Sequence, residues 1–182
     1  YYAENLYFNN ELVTEVVIPE TVTIINTYAF YNYDKLTSVK IPSTVNRINK
    51  SAFAACSNLT DLTIEEGVKT FGSFVFSDCD ALTSVTIPAS ITSIGNNVFE
   101  ECDALTKVVF AEGSTTTGVK TFYSCDALKE VVLPISMKTI GNNAFAYCKS
   151  LETISIPKNV TSIGTKAFEY CNALTNITVD DE

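Results

Sequence analysis

The chain has 182 residues, of which 46% are hydrophobic and 18% charged, and it carries a formal net charge of −9. This composition excludes a disordered chain, and the negative charge disfavours nucleic acid or an anionic membrane surface as a partner. The sequence has no histidine, which excludes Ser-His, Cys-His and His-metal sites, and it has no apolar run of the roughly 18 residues that a membrane-spanning helix needs.

The first ten residues allow two interpretations. They contain ENLYF, which resembles a protease-recognition tag with Asn9 in place of glutamine. They also fit a native half repeat, because Tyr7 aligns with Phe30, and Asn10 with Tyr33, when the chain is shifted by one unit of the repeat that follows. We favour the half repeat.

From Val13 onward, a 23-residue unit repeats without a linker. The full units, called coils one to seven, are residues 13–33, 36–56, 59–79, 82–102, 105–125, 128–148 and 151–171. Residues 174–179 begin a further unit, and no polar capping repeat follows. We therefore expect one repeat domain over residues 1–182, with full repeats from about 13 to 171 and partial repeats at both ends, as a fragment of a longer protein.

Coil four shows the pattern most clearly. Its strand-like alternation through Val85 and Ile87 ends at Pro88, which has no N–H for a strand ladder. A second extended piece follows, Gly95 turns the chain, and residues 96–101 are predicted to form a short helical turn. The inward-facing positions are Leu82, Val85, Ile87, Ile91, Ile94, Val98, Phe99 and Cys102. So short a coil cannot bury its own apolar face, and successive coils must stack.

Stacking places equivalent residues in columns. The turn column predicts a left-handed backbone corner, with φ above zero, in every coil, because glycine and asparagine adopt that conformation most readily; it holds Asn26, Asn49, Gly72, Gly95, Gly118, Gly141 and Gly164. The aromatic column predicts a buried stack of rings; it holds Phe30, Phe53, Phe76, Phe99, Phe122, Phe145 and Phe168.

Coil five departs from the pattern. Ser114 and Thr117 stand where the other coils have inward-facing apolar residues. Either Thr117 is buried with its hydroxyl bonded to backbone, or the chain slips locally so that Val119 points inward. Tolerance of one imperfect coil is the favoured interpretation, and a loosened segment used for contact is the alternative.

The repeat motif L-x-x-V-x-I-P-x-x-V-x-x-I-G-x-x-A-F-x-x-C resembles the BspA-like, treponemal-type leucine-rich repeat, over essentially residues 13–179. The resemblance implies an α/β solenoid, namely a right-handed superhelix of 23-residue coils with short parallel strands and short helical turns. It also implies a domain of a cell-surface or secreted protein, linked to adhesion and to the binding of host proteins. It identifies no partner, because function lies on the variable positions.

The outward positions of the first strand are those variable positions. Most are short, polar or β-branched, which suits a flat ladder. Coils five and six differ, because Val109 and Val132 form a small apolar patch beside Lys107 and Glu130. These four residues are our candidate protein contact site, and ordinary strand-forming residues without a binding role are the alternative.

The cysteines and the acidic residues are weaker candidates. The six cysteines recur once per coil, without the close pairs of a zinc site and in a stacking geometry that suits disulfides poorly. We expect free buried thiols. Asp80, Asp103 and Asp126 follow the cysteine in successive coils. Turn residues bonded to local backbone are the favoured interpretation there, with calcium binding as the alternative. We therefore assign no metal, cofactor or catalytic residue.

Two function classes remain. In the first, the solenoid is a non-catalytic, adhesin-like module that binds a host matrix or surface protein through its strand face. In the second, it is a structural spacer that presents another domain at the cell surface. The irregularity from Lys107 to Val132 favours binding, since a spacer needs only uniform repeats.

Overall fold

The computed structural model describes residues 7–8 and 10–180, and within them it contains strands and turns but no helix. The strands are β1 (Tyr7–Phe8), β2 (Glu11–Leu12), β3 (Glu15–Val17), β4 (Ile24–Ile25), β5 (Ser38–Ile41), β6 (Arg47–Ile48), β7 (Asp61–Ile64), β8 (Thr70–Phe71), β9 (Ser84–Ile87), β10 (Ser93–Ile94), β11 (Lys107–Phe110), β12 (Glu130–Val132), β13 (Thr139–Ile140), β14 (Thr153–Pro157), β15 (Ser162–Ile163) and β16 (Asn176–Asp180). Each coil contributes one turn of a solenoid.

The first strand of each coil lies on one side of the solenoid, which we call the strand face. These strands pair in parallel as β3-β5-β7, β9-β11-β12 and β14-β16. The register is one repeat, so Lys107 lies opposite Ser84 on one side and Glu130 on the other. Alternate residues therefore point into the core and into solvent, as the sequence pattern predicted.

The second strands form another parallel ladder. It joins β4-β6-β8-β10 over coils one to four and β13-β15 over coils six and seven. In coil five the described chain has no second strand, and a single bridge links Thr116 to Thr139 of coil six. The second ladder is thus interrupted between coils four and five.

The segments expected to be helical turns instead form a third ladder, so the α/β assignment is wrong. In coil four the N–H groups of Asn97, Phe99 and Glu101 donate to carbonyl oxygens of coil five at 3.1, 2.8 and 2.9 Å. An α-helix would bond each N–H to the carbonyl four residues earlier in the same segment. Because alternate N–H groups point to the next coil, the segment remains a run of turns.

The left-handed residues of each coil lie inside this turn ladder. Two positions per coil have φ near 60°, for example Asn97 at 60° and Glu101 at 57° in coil four. None of these residues is glycine, although a left-handed residue with a side chain costs roughly 1–2 kcal/mol. The bonds to the next coil offset that cost, because this conformation directs the N–H groups outward along the stack.

The turn-column glycines have a different role from the one predicted. Of the column, only Gly118 has a positive φ, at 79°. A Cβ added to Gly95 would lie 2.5 Å from the carbonyl carbon of Gly72, and one added to Gly141 would lie 1.8 Å from the oxygen of Gly118. Glycine is needed there because adjacent coils approach each other closely.

The aromatic column is confirmed as the centre of the core. The rings stack with centroids 4.9 to 5.7 Å apart and planes within 12° of parallel. The five internal rings are fully buried, whereas Phe30 and Phe168 are half-buried. A stack of this kind ties each coil to both neighbours.

Of the two alternatives for coil five, a buried Thr117 or a local slip that turns Val119 inward, the structure shows the first. The Thr117 hydroxyl donates to the carbonyl oxygen of Gly118 at 3.3 Å and accepts the N–H of Gly141 at 2.9 Å. Val119 stays 37% exposed, so the chain does not slip. Two other buried hydroxyls of this coil, those of Ser114 and Thr121, have no hydrogen-bond partner.

Near the start of the described chain, Tyr7–Phe8 pairs antiparallel with Glu11–Leu12. This antiparallel pair is not repeated in the coils that follow, and the half-repeat interpretation stays a prediction. Asn10 has a φ of 66°, which suits the tight connection between the two strands. The remaining residues that bear on this prediction, including Leu6 and Asn9, lie outside the described residues.

Candidate protein-binding face

The strand face brings the four candidate residues together. Parallel pairing of β11 with β12 sets Lys107 beside Glu130 and Val109 beside Val132. The two valines point outward, while Val108, between Lys107 and Val109 on β11, is fully buried. The four side chains therefore form one patch, called here the Val109/Val132 patch, across coils five and six.

The patch combines an apolar centre with a charged border. Val132 is 41% exposed and Val109 is half-buried beside it. The Lys107 ammonium lies 2.7 Å from a carboxylate oxygen of Glu130, with both side chains about half exposed. An exposed pair of this kind stabilises a fold by about 0–1 kcal/mol at most. Its charges remain available to a partner, and it holds the two side chains at the edge of the valines.

The rest of the strand face differs in character. The outward column through Val109 and Val132 continues as Val17, Lys40, Thr63, Thr86, Ser155 and Thr178. Val17 is 71% exposed in β3, at the other end of the face, and Lys40 pairs with Glu65 at 3.0 Å. The paired outward valines of coils five and six are thus a local feature of a face that is otherwise mainly polar.

The acidic residues line a shallow groove on the turn side. This groove holds about 320 Å³ and is lined by Asp78, Asp80, Glu101, Asp103, Ser124, Asp126 and Lys149. Burial, then the nearby charges of Asp103 and Asp78, raise the pKa of Asp80. Lys149 lies 2.7 Å from a carboxylate oxygen of Asp126. Among residues 10–180 no cluster of three or more potential ligands is arranged to hold a metal ion.

The cysteine column has a structural role that the sequence did not reveal. All six thiols are free and buried. Each donates an S–H hydrogen bond to the carbonyl oxygen of the phenylalanine in the preceding coil, as Cys102 does to Phe76 at 3.2 Å. Burial is the main cause that raises the pKa of these thiols, to about 12 for Cys56. They are therefore protonated at neutral pH and serve as donors between coils.

A row of tyrosines on the turn side was also missed. The rings of Tyr123 and Tyr147 lie 5.1 Å apart, and those of Tyr147 and Tyr170 lie 4.8 Å apart. The Lys120 ammonium lies 4.8 Å from the centre of the Tyr123 ring. Tyr123 is one position out of register with the other two. The 23-residue period therefore does not align Tyr123 with Tyr147 and Tyr170, although the sequence shows that tyrosine is frequent in these turns.

Comparisons with known proteins match this architecture. The model of the BspA type leucine rich repeat region matches residues 3–126 and 115–182, in 6 copies. A comparison with curated proteins found no match. None of the described residues forms a helix that is long and apolar enough to cross a membrane.

Three solved structures illustrate the similarity. A leucine-rich repeat protein from Bacteroides ovatus ATCC 8483 is 36% identical with a TM-score of 0.80, over 94% of this chain and 46% of that one. One from Eubacterium ventriosum ATCC 27560 is 33% identical with a TM-score of 0.79, over 93% and 45%. The T. pallidum leucine rich repeat protein is 28% identical with a TM-score of 0.78, over 89% and 78%.

The chain therefore spans less than half the length of the first two of these proteins. The family match nevertheless covers most of its residues, and the coils, parallel ladders and buried columns described above repeat in the same register. This chain belongs to the BspA-type leucine-rich repeat family.

Proposed function

We propose that this solenoid is a non-catalytic protein-binding module that engages its partner through the strand face. The observation that carries the proposal is the Val109/Val132 patch, with its apolar centre and its Lys107–Glu130 border. Protein interfaces commonly have this anatomy, with apolar residues at the centre and polar groups around the rim. The two valines lie on adjacent strands and present one contact surface.

The strand face is also held in place by its backbone. β11 is paired on both sides, to β9 and to β12, so the outward residues of coil five are fixed in register. A pre-ordered surface loses little conformational entropy on binding, which favours affinity. We infer that the partner is a protein, since a chain with a net charge of −9 offers no basic surface for nucleic acid.

We further propose that the module belongs to a cell-surface or secreted protein and acts in adhesion to host matrix or surface proteins. Membership of the BspA-type repeat family supports this proposal, since proteins of the family are typically surface-associated. The valine patch favours binding over the role of a structural spacer.

The proposal is tested by measuring capture of this chain on immobilised collagen, fibronectin, laminin and host-cell surface proteins. We expect capture by at least one of them, weakened at least tenfold in the variant Val109→Asp/Val132→Asp. The matched control is Thr63→Asp/Thr178→Asp, which adds the same charges to the same outward column two coils away from the patch on either side.

The control separates a local site from a general effect of charge. We expect Thr63→Asp/Thr178→Asp to retain capture within about threefold. Capture that is unaffected by Val109→Asp/Val132→Asp would contradict the proposed site. A chain that binds none of these proteins would favour the spacer role instead.

A further inference from the structure

We propose that the junction between coils four and five is a hinge, which opens on its second-strand side while the paired strands β9 and β11 act as the pivot. Three observations lead to this proposal: a missing set of backbone hydrogen bonds, a polar interior in coil five, and a loss of burial at the same place. Each concerns a different part of the junction.

The missing hydrogen bonds lie on the second-strand side. In coil four, Thr92 and Ser93 donate their N–H groups to the carbonyl oxygen of Lys69, and Gly95 donates to Phe71. The equivalent residues of coil five do not repeat this pattern with coil four. The N–H of Gly118 turns instead to the side-chain oxygen of Thr116 in its own coil, at 3.2 Å. Strand β10 is therefore an edge in the middle of the solenoid.

The interior of coil five is unusually polar. Three inward-facing columns that are apolar in coil four, at Ile91, Ile94 and Val98, continue as hydroxyl-bearing residues in coil five, namely Ser114, Thr117 and Thr121. The hydroxyls of Ser114 and Thr121 are buried without a hydrogen-bond partner. Opening the junction lets water reach these hydroxyls, which lowers the free energy needed to open it.

Apolar side chains are less buried beside the interruption of the second ladder. Ile94 is only half-buried, whereas its counterparts Ile48 and Phe71 in the two preceding coils are at most 1% exposed. The side chain that should pack against a coil-five residue thus already faces water in part. Less apolar surface is exposed when this junction opens than when the junction between coils two and three opens.

The pairing of β9 with β11 crosses the junction unbroken, which makes it a hinge and not a point of separation. β11 pairs with β9 over four residues, from Lys107 opposite Ser84 to Phe110 opposite Ile87. The turn ladder also crosses the closed junction, through the N–H of Asn97, and this bond breaks when the junction opens. Motion about the β9–β11 pair changes the angle of the strand face beside Val109.

The test is amide hydrogen exchange of the intact chain, read at equivalent positions of the turn ladder. The N–H of Phe74 crosses from coil three to four, that of Asn97 from four to five, and that of Lys120 from five to six, all at 2.9 to 3.1 Å. After correction for intrinsic rates, we expect Asn97 to be protected at least tenfold less than Phe74 and Lys120. Protection of Asn97 equal to theirs would overturn the proposal.

A repaired variant tests the cause. Ser114→Val/Thr121→Val removes the two unpartnered hydroxyls and introduces valine, which four other coils carry at the first position and coils three and four at the second. We expect it to bring Asn97 to within about threefold of Phe74, whereas the exposed control Thr115→Val leaves the tenfold difference unchanged. A repaired chain that keeps the difference overturns the proposed cause, and if the variant does not fold, the comparison in the unmodified chain decides.

Discussion

The hydroxyl oxygen of Thr117 accepts a hydrogen bond from the backbone N–H of Gly141, 2.9 Å away in the next coil. In coils three, four and seven the equivalent glycine N–H is bonded to a backbone carbonyl, as Gly95 is to Phe71. A side chain has thus replaced a main-chain acceptor at the centre of coil five. The buried hydroxyl of Thr121, three residues beyond Gly118, has no such partner.

These two threonines are expected to respond in opposite directions to the same substitution. Thr117→Val leaves the Gly141 N–H buried without an acceptor and should lower the free energy of unfolding by about 1–3 kcal/mol. Thr121→Val removes an unpartnered hydroxyl at nearly constant volume and should raise it by about 1 kcal/mol. Urea unfolding of both variants measures this, and a destabilised Thr121→Val would contradict the assignment of its hydroxyl as unsatisfied.

The phenylalanine stack is expected to be most sensitive at its centre. Phe99 is fully buried and stacks on Phe76 and Phe122 at 5.2 and 5.5 Å. Phe99→Ala should lower the free energy of unfolding by about 3–5 kcal/mol, because it leaves a cavity and breaks both ring contacts. Phe168→Ala, at a half-buried ring with one stacked neighbour, should cost less. Equal losses in the two variants would show that the rings do not act as a stack.

The cysteines are expected to be unreactive in the folded chain. Their pKa values are raised mainly by burial, so at pH 7–8 the nucleophilic thiolate is scarce as well as inaccessible. Labelling with a thiol reagent should modify none of them until the chain unfolds in urea. As pH is raised, Cys171, 8% exposed, should react before Cys102, which is fully buried. Rapid labelling of Cys102 under native conditions would contradict this arrangement.

Ionisation of Asp80 in the acidic groove is expected to lower the free energy of unfolding. Burial and the charges of Asp103 and Asp78 raise the pKa of Asp80, so the folded state holds this proton to a higher pH than the unfolded state does. Stability is therefore lost as pH rises from the ordinary value near 3.8 through the raised one. Asp80→Asn should raise the free energy of unfolding at pH 7, by up to about 0.5 kcal/mol for this exposed position. At pH 3 the gain should vanish, as thermal unfolding at both values can show.

Glu66 is expected to behave in the opposite way. Burial tends to raise its pKa, but its carboxylate accepts the N–H groups of Ala89 and Ser90, both at 2.9 Å, and the net shift is downward. Its contribution to stability is therefore present above the ordinary value of 4.5 and is lost as pH falls through the lowered one. Glu66→Gln should destabilise the chain at pH 7 and have less effect at pH 3. A loss of equal size at both pH values would contradict this role.

The sequence was sufficient to predict the stack, because a fixed period of apolar residues leaves coils no other way to bury them. The inward positions, the aromatic column and the contact between Val109 and Val132 all follow from that register. The register does not predict whether the patch binds a partner. Outward residues do not pack in the core, so their identities do not follow the repeat pattern that reveals the buried columns.

The turn segment was predicted wrongly, for a reason that lies in the backbone. Residues 96–101 have the length and spacing of one helical turn, but the N–H groups of Asn97, Phe99 and Glu101 bond to carbonyl oxygens of the next coil. That choice depends on φ values near 60° at Asn97 and Glu101; asparagine adopts such a φ readily, but the glutamate side chain does not indicate it. The glycine column was misread for a related reason, since close approach of two backbones and left-handed φ select the same residue.

The hydrogen bonds of the turn ladder run from the N–H groups of one coil to the carbonyl oxygens of the next, and their spacing determines what length of chain can be removed or duplicated. Each donor in it meets an acceptor one position short of a full repeat further along the chain, as the N–H of Phe99 meets the carbonyl oxygen of Thr121. Removing or duplicating one whole repeat presents every donor with an equivalent acceptor. A change that is one position longer or shorter than a repeat sets the donors of one coil against the wrong groups of the next. Copy number in such a gene is therefore free to vary in whole repeats, and frame-preserving indels of other lengths are strongly disfavoured.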